Sequence, residues 1–506
     1  MARRALQEFM STLLNDRPLE LEIKFRLHGG ARAALAEHPA LSGNHRAQRE
    51  VSTYFDTADG DLRRAGATLR VRRHGARRVQ TVKLQGPGGA FARGEWEWPV
   101  QTDTPDLRRL AETPIAGMTN SPLEPIFVTD VQRDVREVRQ DGATIEVAID
   151  RGHVRAGNAA EEIAELELEL KQGDPGALYR LAIGLHADAT LSLAAESKAD
   201  RGWRLRTGQP RPAERHTDVD LPAGITATEA FRRILDNTLG HFMANHPAAT
   251  SGSIEGVHQM RIAIRRGRAA LLLFKPQLEP HAAARFTDAL RQLGRVFGEA
   301  RDWDVFCTDM LNSAESGGVA RSWLDLLRQP AETQRIAAHT RVATELEAPV
   351  LTSTVLGLQA WDIASDTSLV DVAPDLVASL DQKVRHRGRR IAKLDYEGLH
   401  KLRKSLKKLR YGIEFLAPLL KEEDTKRYLH RCKALLKHLG ALNDAVVAVK
   451  LAEQLGGERQ PELAPAVSAL AEWTDDRRSK IRRDIEDAWA KLQDAQLPAC
   501  SHGAKR

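Results

Sequence analysis

The hydrophobic pattern of this chain changes its period once, near its middle. Up to about residue 206, apolar and polar residues alternate in short runs, and from about residue 222 the apolar residues recur every three or four positions. A period of two is typical of β-strands and a period near 3.6 of helices. With 506 residues the chain is also too long for one core. We therefore predict a β-rich domain at 17–206, a polar, proline-bearing linker at 207–221, and a helical domain at 222–495.

The alternation is clearest at 19–27, where Glu20, Glu22 and Lys24 lie on one face and apolar residues on the other. Two segments of the first half, 30–38 and 175–187, have helical patterns instead, and the turn residues at 87–89 predict a hairpin tip. The same period of two predicts further strands at 67–72, 79–84, 93–98, 131–139, 144–150 and 163–170.

The polar faces of these strands carry formal charge on strand after strand. Such faces could be an ordinary solvated surface with neutralising ion pairs. Alternatively, the strands could close into an antiparallel barrel with their apolar faces outward under helices and a charged lumen inside. Alternation alone favours the solvated surface.

The triplet Glu20-x-Glu22-x-Lys24 suggests a particular chemistry. Its spacing places two carboxylates and one ammonium on the same face of a strand. Two carboxylates can hold a hard divalent cation, and a neighbouring ammonium can hold an oxygen of a bound phosphate. Exposed strands often contain this triplet, so it is weak evidence by itself.

The residues that accompany the triplet make the first half resemble the CYTH family, the triphosphate tunnel metalloenzymes, over about 17–206. The order and approximate spacing of the motifs match that family throughout. The motifs are Glu20–Lys24, Tyr54-Phe55-Asp56-Thr57, Leu69-Arg70-Val71-Arg72, Thr81-Val82-Lys83, Arg93-Gly94-Glu95-Trp96-Glu97, Arg133, Glu146 to Asp150, Glu165 to Glu169, and Ser197 to Gly202.

The resemblance implies an α+β protein whose barrel binds a linear triphosphate and cleaves it with Mg²⁺ or Mn²⁺. The residues it implies as catalytic are Glu20, Glu22, Lys24 and Lys83. Those it implies for phosphate binding are Lys24, Arg70, Arg72, Lys83, Arg133, Lys198 and Arg201. Those it implies for the metal are Glu20, Glu22, Glu167 and Glu169, with Glu165, Glu146 and Asp150 beside them. No serine or cysteine is paired with a base, so we expect direct attack by water.

Other functions remain open for the same barrel. A nucleoside triphosphatase, a thiamine triphosphatase or an adenylate cyclase would use the same phosphate site and differ in the organic group that it binds. A receptor that holds polyphosphate without cutting it is a further alternative, although several carboxylates on neighbouring strands would not be needed for binding a polyanion. Inorganic tripolyphosphate is our preferred substrate, because the second half of the chain also indicates an inorganic polyanion.

That second half contains an internal repeat within a series of predicted helices at 226–245, 255–274, 282–310, 319–345, 376–394, 397–419, 424–456 and 462–492. Residues of the same type recur 142 positions later in the chain. The matched sets are His258, Arg261, Arg265, Arg268, Gly298 and Asp302, and His400, Arg403, Lys407, Arg410, Gly440 and Asp444. We therefore predict two similar helical bundles related by a pseudo-twofold axis.

The repeated His-x-x-Arg helices and the Gly-x-x-x-Asp turns resemble the CHAD family over about 222–495. The resemblance implies two four-helix bundles that bind inorganic polyphosphate through the matched basic residues. Charge agrees, because residues 1–221 hold 32 Lys and Arg against 33 Asp and Glu, whereas the remainder holds 43 against 36. The alternatives are a solvated basic face and a nucleic-acid site, but the chain shows no aromatic interleaving or groove-reading motif. Oligomeric state is not indicated.

The remaining features concern the compartment. The three cysteines, Cys307, Cys432 and Cys500, are scattered and unpaired in spacing, which is typical of a reducing environment. No apolar run reaches the roughly 20 residues of a membrane helix, and no signal peptide is evident. We expect a cytoplasmic protein without a membrane partner, and polyphosphate granules are a candidate location within the cytoplasm.

Overall fold

The structure is a computed structural model that describes residues 20–85, 91–118, 121–222, 224–363, 367–456 and 461–500. The predicted hairpin tip at 87–89 lies outside the described residues. The chain divides into two compact units. The first unit reaches Glu214 and also includes Leu239–Ser251 and Leu346–Asp362. The second unit is formed by Arg215–Thr238, Gly252–Glu345 and the residues from Ile363 onward.

The first unit is built on a closed antiparallel barrel. Its strands pair in the order β5-β4-β3-β2-β6-β7-β8-β1, and β5 closes the barrel by pairing with β1. A two-residue strand, β9 (Ser192–Leu193), extends the pairing beside β1. The eight barrel strands are β1 (Glu20–Arg26), β2 (His45–Asp56), β3 (Ala67–His74), β4 (Arg77–Gln85), β5 (Ala92–Pro99), β6 (Glu124–Gln140), β7 (Ala143–Ala156) and β8 (Ala159–Gln172). The barrel with a charged lumen is therefore confirmed against the solvated sheet.

Strand β2 has no counterpart among the strands predicted from alternation. Its first half, His45 to Arg49, is polar on both faces, so a period-two pattern in hydrophobicity is lost there. The strand forms nevertheless because it pairs along its whole length with β6 and over Val51–Phe55 with β3. Hydrogen bonding to β6 and β3 thus stabilises a strand that the local hydrophobic pattern does not predict.

The apolar faces of the strands point outward and are covered by helices. Ile23, Phe25, Leu166 and Leu168 are fully buried on this outer side. Each such side chain contributes about 1.5–3 kcal/mol by leaving water. The helices of this unit include α1 (Ala31–Glu37), α4 (Pro175–Ala189) and α5 (Lys198–Thr207). Helix α4 packs on β7 and β8, and α5 packs on β6, β7 and β8. Two single turns, α2 (Asp61–Arg64) and α3 (Leu107–Leu110), lie between strands.

A segment from far along the chain completes this unit. Helix α11 (Pro349–Ala360) packs on α4, and the imidazole Nε2 of His186 lies 3.1 Å from the carbonyl oxygen of Pro349. Just before α11, Glu347 forms an ion pair with Arg26 of β1 at 3.2 Å. The unit is consequently discontinuous in sequence, which the linear pattern of residues did not indicate.

The second unit repeats a set of four helices. The helices of the first set begin at Ala227, Ile254, Pro280 and Arg321, and those of the second at Leu369, Tyr396, Glu422 and Ala464. The first three starts recur at an offset of 142 residues and the fourth at 143. The helices are α6 (Ala227–Thr250), α7 (Ile254–Leu273), α8 (Pro280–Val305), α10 (Arg321–Glu347), α12 (Leu369–Gly388), α13 (Tyr396–Leu416), α14 (Glu422–Leu455) and α15 (Ala464–Gln493), with a short α9 (Leu311–Ser316) after a π-turn at Phe306–Met310. All eight predicted helices are present.

The two sets are related by a pseudo-twofold axis. Thr226 forms an antiparallel bridge with Ser368, which is its equivalent 142 residues later. Helix α7 likewise packs on its equivalent, α13, and α8 contacts α14. Pairing of equivalent elements is what a twofold relation requires. Within the part of the chain that the structure describes, no helix is long and apolar enough to cross a membrane.

Candidate active site

The barrel encloses a polar cavity of about 310 Å³. Alternate residues of the strands point into it, and most of the side chains in its wall are charged. Predicted site residues that line it are Glu20, Glu22, Lys24, Arg70, Arg72, Lys83, Arg133, Glu146, Glu167, Glu169 and Lys198. Three predicted residues, Asp150, Glu165 and Arg201, do not line the cavity and are buried beside it.

Glu167 is the centre of a buried ion-pair network. Its carboxylate lies 2.5 Å from Lys24 Nζ, 2.7 Å from Lys198 Nζ and 2.5 Å from a guanidinium nitrogen of Arg133. Burial by itself would raise the pKa of Glu167, but these three cations hold it well below its ordinary value. The carboxylate therefore stays ionised and fixes three cations at one side of the cavity.

The buried residues beside the cavity support the same cations from behind. Asp150 lies 2.8 Å from Lys198 Nζ and forms a two-bonded pair with Arg133 at 2.7 and 2.6 Å. Glu165 lies 2.8 Å from Lys198 Nζ and 2.6 Å from Arg201. The network thus balances its carboxylates with Lys and Arg, as buried charges require.

Lys198 is positioned by the start of helix α5. Ser197 caps this helix by accepting a hydrogen bond from the backbone N–H of Asp200 at 3.1 Å, and the Asp200 side chain accepts one from Ser197 N–H in return. This reciprocal cap fixes the first turn. It directs Lys198, which is 7% exposed, toward Glu167.

A second cation group lies around Glu20. Lys83 Nζ is 2.8 and 2.9 Å from the two carboxylate oxygens of Glu20 and 3.2 Å from Glu95. Arg93 pairs in register with Glu20 and lies 3.2 Å from Glu22. Arg93 is not among the site residues predicted from sequence, although its alternate spacing with Glu95 and Glu97 places it on the same face.

A row of carboxylates crosses three adjacent strands. Glu22 on β1 lies directly opposite Glu169 on β8, which lies opposite Glu146 on β7. Like charges at opposed positions repel each other. The pKa of Glu169 is raised to about 6, chiefly by burial, with Lys171 opposing the shift and Glu20 and Glu22 adding to it. The Oε2 atom of Glu22 is buried and accepts no hydrogen bond from a described residue, although Arg93 lies 3.2 Å away.

This row fits a hard divalent cation by its donor set. Mg²⁺ and Mn²⁺ prefer carboxylate oxygens, and a bound cation would relieve the repulsion among Glu22, Glu169 and Glu146. In the part of the chain that the structure describes, no three Asp, Glu, His or Cys side chains already converge on one point that could hold a metal ion. The row is held instead by Arg93, Lys24 and Lys171.

Some lining residues were not anticipated from sequence. Arg46, Gln48 and Glu50 enter the cavity from β2, the strand that the alternation did not reveal. Glu50 lies 3.7 Å from Arg72 and 3.8 Å from Arg133, so it joins the ion pairs of the wall. Lys171, near the end of β8, is not among the predicted site residues, although it continues the alternation of Glu165, Glu167 and Glu169 by one step.

The second unit concentrates positive charge near its pseudo-twofold axis. Arg261 and Arg265 of α7 face their equivalents, Arg403 and Lys407, of α13. The pKa of Lys407 is lowered to about 5, chiefly by burial and also by the neighbouring charges of Arg265, Arg403 and Arg261. Burial also lowers the pKa of Arg265, with Arg261 contributing. Such crowded cations indicate a surface that an anion would stabilise.

The other predicted basic-face residues differ between the repeats. His400 lies 3.0 Å from the side-chain oxygen of Asn443, whereas the buried Nδ1 of His258 has no hydrogen-bond partner in the described residues. Burial lowers the pKa of His258, and the positive charge of Arg301, the equivalent of Asn443, lowers it as well. Arg410 lies 3.6 Å from Glu414, and burial lowers the pKa of Arg268.

The chain combines a closed antiparallel barrel, whose lumen is lined by ion pairs, with a pseudo-symmetric helical repeat that carries basic residues near its axis. It is therefore a protein with two domains of different class. Family comparisons agree with each part. The CYTH domain family matches residues 18–203, and the CHAD domain family matches residues 233–453. Residues 18–203 are therefore a CYTH domain, and residues 233–453 are a CHAD domain.

Individual relatives match parts of the chain. An inorganic triphosphatase of Haemophilus influenzae is 32% identical over 162 residues, which cover 31% of this chain and 46% of that protein. An uncharacterised protein of Mycobacterium tuberculosis is 27% identical over 275 residues, covering 51% and 52% respectively. The chain thus spans about half the length of the curated relatives it matches. The crystal structure of the CHAD domain from the plant Ricinus communis is 28% identical, with a TM-score of 0.49, and covers 57% of this chain and 99% of its own.

Proposed function

We propose that the barrel is a metal-dependent inorganic triphosphatase that converts tripolyphosphate and water into pyrophosphate and phosphate. The observation that carries the proposal is the separation of charge inside one cavity. Cations gather around Glu167, and the carboxylate row Glu22–Glu169–Glu146 lies beside them in the same cavity, since Glu167 and Glu169 are two residues apart on β8. The name of the Haemophilus influenzae relative supports the same activity for the barrel.

The cations of the lumen would neutralise the phosphate oxygens. Lys24, Arg133 and Lys198 are held in place by Glu167, so they need no rearrangement before a polyanion arrives. Pre-positioned charge of this kind stabilises the transition state of phosphoryl transfer. Lys83, Arg70 and Arg72 line the same cavity and would extend the phosphate site, and Arg201 would act from behind, through Glu165.

The carboxylates divide into two groups by their surroundings. Glu20, Glu22, Glu169 and Glu146 are the ones we assign to the metal. Asp150 and Glu165 lie behind the cavity wall, and Glu167 contacts three cations, so we assign these three carboxylates to positioning Lys24, Arg133 and Lys198. When bound, Mg²⁺ or Mn²⁺ would supply charge neutralisation and lower the pKa of a coordinated water. Attack of a water on the terminal phosphorus would break its bond to the bridging oxygen, so that phosphate and pyrophosphate leave and a proton of the water passes to a product phosphate or to solvent.

We further propose that the helical repeat binds inorganic polyphosphate. The mutual proximity of Arg261, Arg265, Arg403 and Lys407 supports this proposal, since a row of phosphates would relieve their repulsion. His258, Arg268, His400 and Arg410 would flank this group. Such binding would place the enzyme in the cytoplasm on polyphosphate granules.

Phosphate release tests the catalytic proposal. Tripolyphosphate, ATP and long-chain polyphosphate would be compared in parallel with Mg²⁺, with Mn²⁺ and with chelator. We expect metal-dependent cleavage that is faster for tripolyphosphate than for ATP. Faster cleavage of ATP would instead favour a nucleotide-directed enzyme. Tight polyphosphate binding without cleavage of any of the three would identify a receptor.

Binding of long-chain polyphosphate by a double variant, Arg265→Gln with Lys407→Gln, tests the second proposal. We expect the affinity to fall at least about a hundredfold, since two charge-assisted contacts to phosphate, each contributing about 1.5–3 kcal/mol, are removed. The exposed pair of Lys426 with Glu422 offers a matched control, because Lys426→Gln removes a charge from an unrelated part of the second unit. Equal affinity in both variants would refute the assigned surface.

A further inference from the structure

Lys171 stands among the carboxylates that we assign to the metal. It follows Glu169 by two residues on β8, so both side chains point into the cavity. Its Nζ lies 2.6 Å from Glu169 and 4.0 Å from Glu146. Glu20 also acts on it electrostatically. Lys171 therefore places one positive charge where a divalent cation would lie.

The ion pair of Lys171 with Glu169 is more exposed to water than the pair of Lys198 with Glu167. The side chains of Lys171 and Glu169 are 43% and 23% exposed, whereas those of Lys198 and Glu167 are 8% and 7% exposed. Lys198 also has three carboxylate partners within 2.8 Å, and Lys171 has one. A water-exposed ion pair is weak, so the Lys171 pair can be displaced while the Lys198 network persists.

We propose that Lys171 is an internal counter-ion that competes with the divalent cation for Glu169 and Glu146. The inference rests on the proposed function, since it concerns the same metal ligands. In the metal-free protein Lys171 neutralises the carboxylate row and keeps the barrel from accumulating uncompensated negative charge. When the metal binds, Lys171 must leave Glu169, and its long flexible side chain allows this without movement of the strand.

The displaced ammonium has a second use. Lys171 remains in the cavity that holds the substrate, and a phosphate oxygen can replace its lost carboxylate partner. Binding of the metal and binding of the polyanion are then coupled. The metal frees the Lys171 ammonium, and the phosphate replaces the carboxylate partner that Lys171 has lost. Lys171 is thus a positioning residue that links metal binding to substrate binding.

Binding of Mn²⁺ to the full chain, in phosphate-free buffer, tests this proposal directly. Mn²⁺ would be titrated into the protein and the free ion followed by its paramagnetic resonance signal. We expect Lys171→Met to bind Mn²⁺ about fivefold more tightly than the wild type, the contribution of a partly exposed ion pair. Lys171→Arg keeps the charge and should bind about as weakly as the wild type.

A matched control is Arg180→Met. Arg180 lies in the same unit and pairs with Asp141 and Asp174 outside the cavity, so its loss changes the net charge equally. Its Mn²⁺ affinity should equal that of the wild type. Lys171→Gln provides a second neutral variant if Lys171→Met fails to fold, as judged by thermal unfolding.

The outcomes separate this inference from the proposed function. If the wild type cleaves tripolyphosphate with Mn²⁺ but neutral variants of Lys171 bind Mn²⁺ no more tightly, the counter-ion role is overturned and the enzyme is not. An equal gain in Arg180→Met also overturns it, because the effect would then be one of net charge. Absence of both Mn²⁺ binding and cleavage in the wild type overturns both proposals.

Discussion

Removing the ammonium of Lys198 should loosen the barrel from within. Lys198 is 7% exposed and lies within 2.8 Å of Asp150, Glu165 and Glu167. Lys198→Met preserves the length of the side chain and deletes its charge. The variant leaves three buried carboxylates with fewer cations than before.

The remaining partners set the magnitude. Breaking a buried ion pair by removing one partner costs about 3–5 kcal/mol. Arg133 still holds Asp150 and Glu167, and Arg201 still holds Glu165, so we expect the lower end of that range, about 3 kcal/mol. That loss corresponds to roughly a hundredfold increase in the opening equilibrium of the strands.

Hydrogen exchange of peptides from β7 and β8 measures this loss locally. The method reports opening of the barrel without requiring that both units unfold together. Lys171→Met is the matched control, since it removes a Lys from the same lumen but from an exposed pair. Its effect should stay below about 1 kcal/mol.

Equal exchange in the two variants would refute the reasoning, because burial and the number of carboxylate partners would then not decide what an ion pair contributes. The same conclusion would follow if Lys198→Met exchanged like the wild type. If only Lys171→Met increased hydrogen exchange strongly, Lys171 and not Lys198 would be the cation that stabilises the barrel.

Three further predictions concern single side chains. Glu22→Ala or Lys83→Ala should lower turnover of tripolyphosphate by at least about a hundredfold while circular dichroism stays unchanged; full activity in either would remove that residue from the site. Glu169 has a pKa of about 6 in the fold against an ordinary 4.5, so the metal-free wild type should lose stability as pH rises between these values, and Glu169→Gln should not, as followed by urea unfolding in chelator. Lys407, with a pKa of about 5, is neutral at pH 7, so polyphosphate binding should take up a proton there, detectable by calorimetry in buffers of different ionisation enthalpy and abolished in Lys407→Met.

Local pattern was sufficient for most of the elements. Seven of the eight barrel strands have an alternating sequence, and the eight long helices have amphipathic periods and a repeated set of basic residues. Both periods arise because each strand or helix buries one face, so they can be recognised in the amino-acid sequence. The family resemblances followed from motif order and were confirmed.

Strand β2 and its lumen residues Arg46, Gln48 and Glu50 could not be found in this way. A strand whose two faces are both polar gives no alternation in hydrophobicity, and it forms here because β6 and β3 supply its hydrogen bonds. The contribution of 346–362 to the first unit was hidden for a related reason, since contacts between distant segments leave no periodic trace.

The order of the amino acids alone specifies which charges share a face, because a strand places residues at i and i+2 on the same side. It did not determine which carboxylate would meet which cation. The register across β1, β8 and β7 decided that Glu22, Glu169 and Glu146 form one row, and helix α5 decided that Lys198 neutralises Glu167. The interaction energy of a charge depends on its distance from every other charge and on its exposure to water, and both are properties of the folded chain.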